Sequence, residues 1–218
     1  MSKSLLTRIL DRPDAPQLLE TARAKLQAEK ARRQHFYNDI TEQEKAEFIN
    51  GEVIIHSPVR KAHNEASAFL LQLLNPFVRK HQLGFVGYEK IMVSLSRNDY
   101  EPDLCFFGNE KAAAFIPEQT LFPAPDLVVE VLSKGTEQND RGIKYQDYQA
   151  HGVGEYWMID PEQQTVEQYR LNESDRYELI LKAGEGSITC AVVPGFRIAI
   201  RAIFDETENL RELGRLLG

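Results

Sequence analysis

The sequence lacks several features that would place it in a specialised class of protein. It has only two cysteines, Cys105 and Cys190, which are far apart and form no CxxC or Cys/His pattern. This argues against a disulfide framework or a zinc site, and a reducing cytoplasm is the expected location. No apolar run approaches the roughly 18 residues that a membrane helix needs, and the N-terminus lacks the long apolar stretch of a signal peptide. We therefore expect no membrane association.

Basic residues are fewer than acidic ones, 26 Lys or Arg against 33 Asp or Glu. The formal net charge is −7, which disfavours strong non-specific adhesion to nucleic acid because binding to phosphates draws on clustered Lys and Arg. The charge is unevenly distributed: residues 1–34 carry eight Lys or Arg against four Asp or Glu, or +4, which leaves −11 for the rest. Two explanations of the basic segment remain open: it contacts phosphates, or it is a solvated helix of mixed charge.

The chain contains no internal repeats or low-complexity tracts. Its 218 residues, 42% hydrophobic and 27% charged, are typical of an ordinary globular protein with one well-buried core. We predict a basic N-terminal helical arm at residues 1–38 and a single domain at residues 39–218.

Apolar periodicity predicts a mixed β-sheet flanked by helices, a fold of the α/β class, or α+β on a stricter definition. Asn50-Gly51 between apolar runs is a strong signal for a β-hairpin. Residues 41–44 match a capping box, which predicts a short helical turn. The remaining predicted elements are an amphipathic helix at 17–34, helices at 61–81, 139–150 and 206–216, and strands at 86–95, 104–107, 127–132, 156–159, 166–169, 177–181 and 196–200.

Glu130 is the most informative single residue. It lies inside the apolar run 127–132, whose composition is typical of a central strand buried on both faces. Burial of its carboxylate would cost several kcal/mol unless the group is paired, protonated or bound to a metal. A buried ion pair with Lys or Arg, or an exposed position on an edge strand, is the structural alternative to metal binding.

Two further patterns carry polar groups that are able to do chemistry. Asp103 follows Pro102 at the mouth of an apolar strand. A plain turn or strand-start role is the ordinary explanation of such a pair on its own. Asp140, Lys144 and Tyr148 are spaced by four and share one helical face. The alternative is that Asp140 and Lys144 form a surface ion pair while Tyr148 packs on the core.

In their order and spacing these motifs resemble the Uma2 family, a bacterial branch of the PD-(D/E)xK nuclease superfamily that is numerous in cyanobacteria. The resemblance covers roughly residues 40–205. It rests on Glu47-Phe-Ile-Asn-Gly-Glu52, Pro102-Asp103, Glu130-Val-Leu-Ser133, Asp140 through Tyr148 with Lys144 between them, and Glu155-Tyr-Trp157.

The resemblance implies a restriction-endonuclease-like core in which Asp103 and Glu130 hold a divalent cation. Carboxylate and water ligands suit Mg²⁺ or Mn²⁺. A lysine would stabilise the developing negative charge. The superfamily signature expects it two residues after Glu130, where this chain has Leu132, so the resemblance places it at Lys144, with Lys134 as the second choice.

The same resemblance assigns supporting roles to two residues. Glu47 matches an upstream acid that helps to arrange the metal or its water shell. His63 is a candidate donor to a phosphate of the substrate, and a plain position on the helix surface is the alternative. Trp157 and Tyr156 alternate like strand residues, and a core role is favoured for at least one of them.

The implied function is a Mg²⁺-dependent endonuclease that cuts nucleic acid, with DNA as the preferred substrate and a homodimer expected by analogy. A non-catalytic nucleic-acid-binding or assembly module that retains the fold is the main alternative, because the strand lysine is missing and the body is acidic. Hydrolysis of another phosphoester is the third.

Overall fold

The computed structural model describes residues 4–41 and 44–218, and in this part of the chain helices and strands alternate. The capping box at 41–44 includes residues 42 and 43, so the helical turn that it predicts lies outside the described residues. The helices are α1 (Leu5–Leu10), α2 (Ala15–Asp39), α3 (Lys61–Lys80), α4 (Asn109–Ala112), α5 (Glu137–Asn139), α6 (Tyr145–Ala150) and α7 (Glu206–Leu217), with a π-helical turn at Asp140–Lys144 and a 3₁₀ turn at Ile200–Ile203. The strands are β1 (Ala46–Ile49), β2 (Glu52–Ile55), β3 (Gly84–Tyr88), β4 (Met92–Ser94), β5 (Asp99–Tyr100), β6 (Leu104–Gly108), β7 (Leu121–Phe122), β8 (Leu127–Val131), β9 (Glu155–Asp160), β10 (Thr165–Leu171), β11 (Tyr177–Ala183), β12 (Ser187–Thr189) and β13 (Arg197–Ala199).

Within the described residues these strands form three sheets. The largest has the order β11-β10-β9-β8-β6-β3, a second has the order β2-β1-β5-β4-β7, and β12 pairs with β13. Most neighbours are antiparallel, but β4 and β7 are parallel, and so are β8 and β9. The β8–β9 pair requires the long crossover that contains α5, the π turn and α6. The predicted mixed sheet flanked by helices is confirmed.

The central strand β8 separates two parts of the core. Because successive side chains of a strand point to opposite faces, Leu127, Val129 and Val131 pack with residues of α3, whereas Val128 packs with Tyr148 and other side chains on the opposite face. All five residues of β8 are buried, as its apolar sequence predicts. Glu130 therefore projects into the second part of the core, on the same face as Val128.

The hairpin and the long helix follow the sequence closely. Asn50 and Gly51 both have positive φ, 51° and 89°, which is why this pair forms the tight turn between β1 and β2. Helix α3 accommodates Pro76 one turn from its end. No helix in the described part of the chain combines the length and the apolar composition that spanning a bilayer requires.

Two predicted elements are interrupted in the structure. The strand at 86–95 is divided into β3 and β4, which belong to different sheets, because Glu89 and Lys90 adopt positive φ and turn the chain. The predicted helix at 139–150 contains a π-helical turn over its first half. The short strands β5, β7 and β12 have too few residues to show a periodicity and were not predicted.

The amphipathic helix predicted at 17–34 is longer than expected, and its apolar face is not buried. Helix α2 spans Ala15–Asp39, yet Leu18, Leu19 and Leu26 are 40–53% exposed. The buried residues of α2 are Ala15 at its start and Glu29 and Phe36 in its second half. Apart from Ala15, the helix therefore packs on the rest of the described structure through its second half.

Arg33 fixes this second half of α2 to the first residue of β5. Its Nε and Nη2 atoms each lie 2.6 Å from a carboxylate oxygen of Asp99, which is fully buried. The Tyr37 hydroxyl donates a third hydrogen bond to this carboxylate, at 2.7 Å. Two of the hydrogen bonds form the bidentate arrangement that makes Arg–carboxylate pairs strong.

Replacing Arg33 with Ala is expected to lower the free energy of unfolding by roughly 3–5 kcal/mol, because the buried Asp99 carboxylate would lose its counter-charge. Urea unfolding followed by circular dichroism measures this. Arg23→Ala removes an exposed arginine from the same helix and should change the free energy by less than about 0.5 kcal/mol. Equal effects of the two substitutions would contradict an anchoring role for Arg33.

Candidate active site

Glu130 lies at the centre of a buried polar cluster. Its side chain is 4% exposed, and its Oε1 atom accepts hydrogen bonds from Lys144 Nζ and the Tyr148 hydroxyl, both at 3.1 Å. The buried ion pair that the sequence left open is therefore present.

Asp103 lies beside Glu130 because of the register between β6 and β8. Leu104 is paired with Val129 in this antiparallel ladder. Asp103, which precedes Leu104, is therefore opposite Glu130, which follows Val129. The Asp103 carboxylate accepts a hydrogen bond from the Val131 N–H at 2.8 Å. It also lies 3.0 Å from Lys45 Nζ and 3.3 Å from His63 Nε2.

Glu47 enters the cluster from β1 and is fully buried. Its Oε1 atom lies 2.8 Å from Lys144 Nζ and accepts a hydrogen bond from the Glu101 N–H at 3.0 Å. Its Oε2 atom lies 3.1 Å from His56 Nε2. The five-stranded sheet thus supplies an acid that reaches the same lysine as Glu130 of the six-stranded sheet.

The π-helical turn places Asp140 and Lys144 inside the protein, at 1% and 2% exposure. Their charged atoms are 3.2 Å apart, and the Tyr156 hydroxyl donates to the Asp140 carbonyl at 3.1 Å. The alternative of a surface ion pair is therefore wrong, although Tyr148 does pack on the core. Turns of this type occur preferentially at functional sites.

The electrostatic environment differs sharply between these acids. Burial, together with the nearby carboxylates of Asp140 and Asp103, outweighs the Lys144 ammonium and raises the pKa of Glu130 to about 8. Burial also acts to raise the pKa of Glu47, but the Lys144 ammonium and His56 outweigh it and lower that pKa to about 2. Neighbouring acids whose pKa values are pushed apart are typical of functional sites.

The pKa of Asp103 is lowered. Burial acts in the opposite direction, but the hydrogen bond with His63, the Lys45 ammonium and the Val131 N–H together favour the charged form. Asp103 is therefore the member of the pair whose charged form is favoured, and Glu130 is the member whose charge is poorly compensated.

A cleft of about 390 Å³ gives access to the cluster. Asp103, Glu130 and Lys144 line it, and so do the predicted substrate contact His63 and the second-choice lysine Lys134. Lys134 lies at the rim: its side chain is 74% exposed and 3.7 Å from Glu162. Glu47 does not line the cleft and reaches it only through its contacts.

The structure also brings in residues that sequence reasoning missed. Lys45 and His56 line the cleft and contact Asp103 and Glu47, respectively. Lys45 lies two residues before Glu47, so the period of a strand places both on one face, a signal that was available in the sequence. His56 had no such signal, because its approach to Glu47 depends on the hairpin register. Tyr156 and Trp157 are core residues, as predicted.

Four carboxyl groups in this cluster face two lysine ammonium groups, so the acids outnumber the lysines. The carboxylates are Glu47, Asp103, Glu130 and Asp140, and the lysines are Lys45 and Lys144. The buried atoms Glu47 Oε2 and Asp140 Oδ1 make ion-pair contacts, with His56 Nε2 and Lys144 Nζ respectively, but no hydrogen bond of regular geometry in the described structure. An added cation would relieve this imbalance.

The donor set fits a hard divalent cation. Among residues 4–41 and 44–218, no three or more His, Cys, Asp or Glu side chains converge as a complete metal-binding set. Mg²⁺ does not require one, because it is usually held by one or two carboxylates and completes its shell with water and substrate phosphate oxygens. Asp103 and Glu130, adjacent in register and open to the cleft, meet this smaller requirement.

Comparison with known proteins agrees with the geometry. Residues 33–201 match the model of the Uma2 family, which is described as "Putative restriction endonuclease". The fold is similar to that in the crystal structure of a DUF820 protein from Anabaena variabilis, described there as a "putative nuclease", with a TM-score of 0.65 and 20% identity over 78% of this chain and 94% of that chain. At this identity the likeness shows the fold alone. The chain matches none of the curated proteins.

Proposed function

The chain belongs to the Uma2 family, and from this premise we propose that it is a divalent-metal-dependent endonuclease that hydrolyses phosphodiester bonds in DNA. The observation that carries the proposal is the pairing of Asp103 and Glu130 at the floor of a 390 Å³ cleft. The register between β6 and β8 brings the two acids together. Family membership supports nuclease activity, and the metal, the substrate and the residue roles are our proposal.

We assign Asp103 and Glu130 as the residues that hold Mg²⁺ or Mn²⁺. The chemistry that such a cation supplies is polarisation of the scissile phosphate and activation of water as the nucleophile. Asp103 is preset for this role because three neighbouring donors keep it ionised. Glu130 gains most from the cation, since the surrounding carboxylates leave its own charge uncompensated.

The remaining residues position these two acids and the substrate. Lys144 holds the carboxylates of Glu130 and Glu47 in place and adds positive charge beneath the cleft floor. Glu47 in turn orients Lys144. His63 hydrogen-bonds to Asp103 and lines the cleft, where it can also contact a phosphate of the substrate. Cutting both strands of a duplex would use two copies of such a site, in line with the expected homodimer.

Cleavage of supercoiled, linear duplex and single-stranded DNA and of RNA, each with Mg²⁺, Mn²⁺ or EDTA, tests the proposal. We expect nicking or linearisation of supercoiled DNA with either metal and none with EDTA, because the acids cannot activate water alone. Sedimentation of the same preparation checks the dimer. Cleavage that persists in EDTA would contradict metal dependence, and preferential cleavage of RNA would contradict the substrate assignment.

One observation favours a second function, a nucleic-acid-binding module without catalysis. The position of the signature lysine is taken by Leu132, which is 6% exposed and packs in the core. If every substrate remains intact with both metals while duplex DNA still binds in a filter or fluorescence assay, this second function replaces the first.

A further inference from the structure

The two lysines of the cluster differ in what they are able to touch. Lys144 is 2% exposed, and its Nζ atom lies 2.8, 3.1 and 3.2 Å from oxygens of Glu47, Glu130 and Asp140. An ammonium group has three N–H donors, and the three carboxylates are enough to occupy all of them. A phosphate oxygen would reach this lysine only by displacing one of them.

Lys45 has the opposite character. Its side chain is 23% exposed and lines the cleft. Within the described part of the chain it makes one ion pair, 3.0 Å from Asp103 Oδ1, and its backbone carbonyl is fixed by a hydrogen bond from the His56 N–H at 2.9 Å. The ammonium is therefore held at the cleft floor with donors directed away from Asp103.

We propose that Lys45 is the catalytic lysine that contacts a non-bridging oxygen of the scissile phosphate, and that Lys144 is a positioning residue acting through Glu130 and Glu47. This inference rests on the proposed nuclease function and names the residue that meets its substrate. A phosphodiester carries one negative charge and gains a second as the nucleophile attacks, so an ammonium beside it stabilises the transition state more than the ground state.

The fold explains why this charge comes from the residue before β1 and not from the end of β8. The side chain two residues beyond Glu130 is Leu132, which belongs to the core. Lys45, two positions before Glu47, contacts the Oδ1 atom of Asp103 instead. Asp103 thus lies between Lys45 and the N–H of Val131, with Glu130 next to it in register.

The first test compares the cleavage kinetics of Lys45→Met, Lys45→Arg and Lys182→Met. Lys45→Met should lower kcat by about 10²-fold, more than it changes KM, as expected for loss of one charge-stabilising donor. Lys45→Arg should recover part of this loss because it keeps the charge. Lys182 is half-exposed on β11 and lies outside the cleft, so Lys182→Met, which makes the same change in net charge, should cleave like the wild type.

The second test does not depend on cleavage. Binding of a fluorescent 20-base-pair duplex is measured in EDTA from low to moderate salt, with Glu130→Gln as the parent. Adding Lys45→Met should reduce the slope of log K against log salt by about one, the loss of one phosphate contact, whereas adding Lys182→Met should not. If Lys45→Met does not fold, Lys45→Gln gives the same comparison, since its amide still donates to Asp103.

The outcomes separate this inference from the function on which it rests. Cleavage by the Lys45→Met variant at the wild-type rate, with Glu130→Gln inactive, would overturn the role of Lys45 and leave the nuclease intact. If the wild type cuts nothing, the proposed function fails. The slope of log K for DNA binding against log salt is then the measurement that tests whether Lys45 contacts a phosphate. A slope that Lys45→Met leaves unchanged would overturn the contact.

Discussion

Glu130→Gln is expected to reduce metal-dependent DNA cleavage by at least about 10²-fold while the protein stays folded. Gln has nearly the same shape and still accepts hydrogen bonds from Lys144 and Tyr148 through its carbonyl oxygen. It lacks the negative charge that a divalent cation requires from its ligands. The fold should tolerate the change because burial and nearby carboxylates already disfavour a charge at this position, as the raised pKa of Glu130, about 8, shows.

The measurement is the initial rate of plasmid nicking, with thermal unfolding of each variant recorded in parallel. Asp103→Asn should give a loss of the same order, because Asp103 shares the proposed metal with Glu130. Glu178→Gln makes the same chemical change on the exposed face of β11 and should leave the rate unaltered. Rates within twofold of the wild type for both cleft variants would refute the assignment of the two acids.

Lys144→Met is expected to cause the largest loss of stability of any single substitution in the site. Three carboxylates with exposures of 0–4% would lose their shared counter-charge. Removing one partner of a buried ion pair typically costs about 3–5 kcal/mol, which for a chain of this length corresponds to a fall in Tm of about 6–20 °C. The raised pKa of Lys144, which the carboxylates produce against the effect of burial, points the same way.

A double variant identifies the cause of this loss. If uncompensated charge is responsible, adding Glu47→Gln to Lys144→Met should restore part of the stability, because one of the three carboxylates is removed. In the wild-type background Glu47→Gln should itself be destabilising, since it takes a partner from Lys144. Urea unfolding of the four proteins completes the cycle. Additive effects would show that Lys144 stabilises the protein through packing rather than charge.

Much of the site was accessible from the sequence because its residues lie on elements with clear local signals. Glu130 was conspicuous as a charge inside an apolar strand, and the structure confirms its burial. Asp140, Lys144 and Tyr148 were grouped by helical spacing, and the structure confirms that they cluster around one point. The metal-binding role of Glu130 remains a prediction.

Other features were not predictable because they depend on contacts distant in the chain. Helical spacing does not distinguish a buried Asp140–Lys144 pair from a surface one. The difference arises because the crossover from β8 to β9 lies under the five-stranded sheet. For α2 the prediction was wrong in the opposite direction, because leucines that the amphipathic pattern assigns to a buried face are exposed. The helix forms from local propensity, but the described structure has no surface on which its first half packs. The division of 86–95 into two strands depends on the left-handed turn at Glu89 and Lys90.

The buried central strand, the Asn50-Gly51 hairpin, the long helix α3 and the family could be predicted from the sequence, because apolar periodicity and turn chemistry act over a few residues. The packing of the two sheets in three dimensions makes Glu47 and Glu130 share the ammonium of Lys144. It also places Lys45 at the cleft beside Asp103. These arrangements arise from strand register and sheet packing, which bring together residues separated by up to about one hundred positions, and no local pattern encodes them.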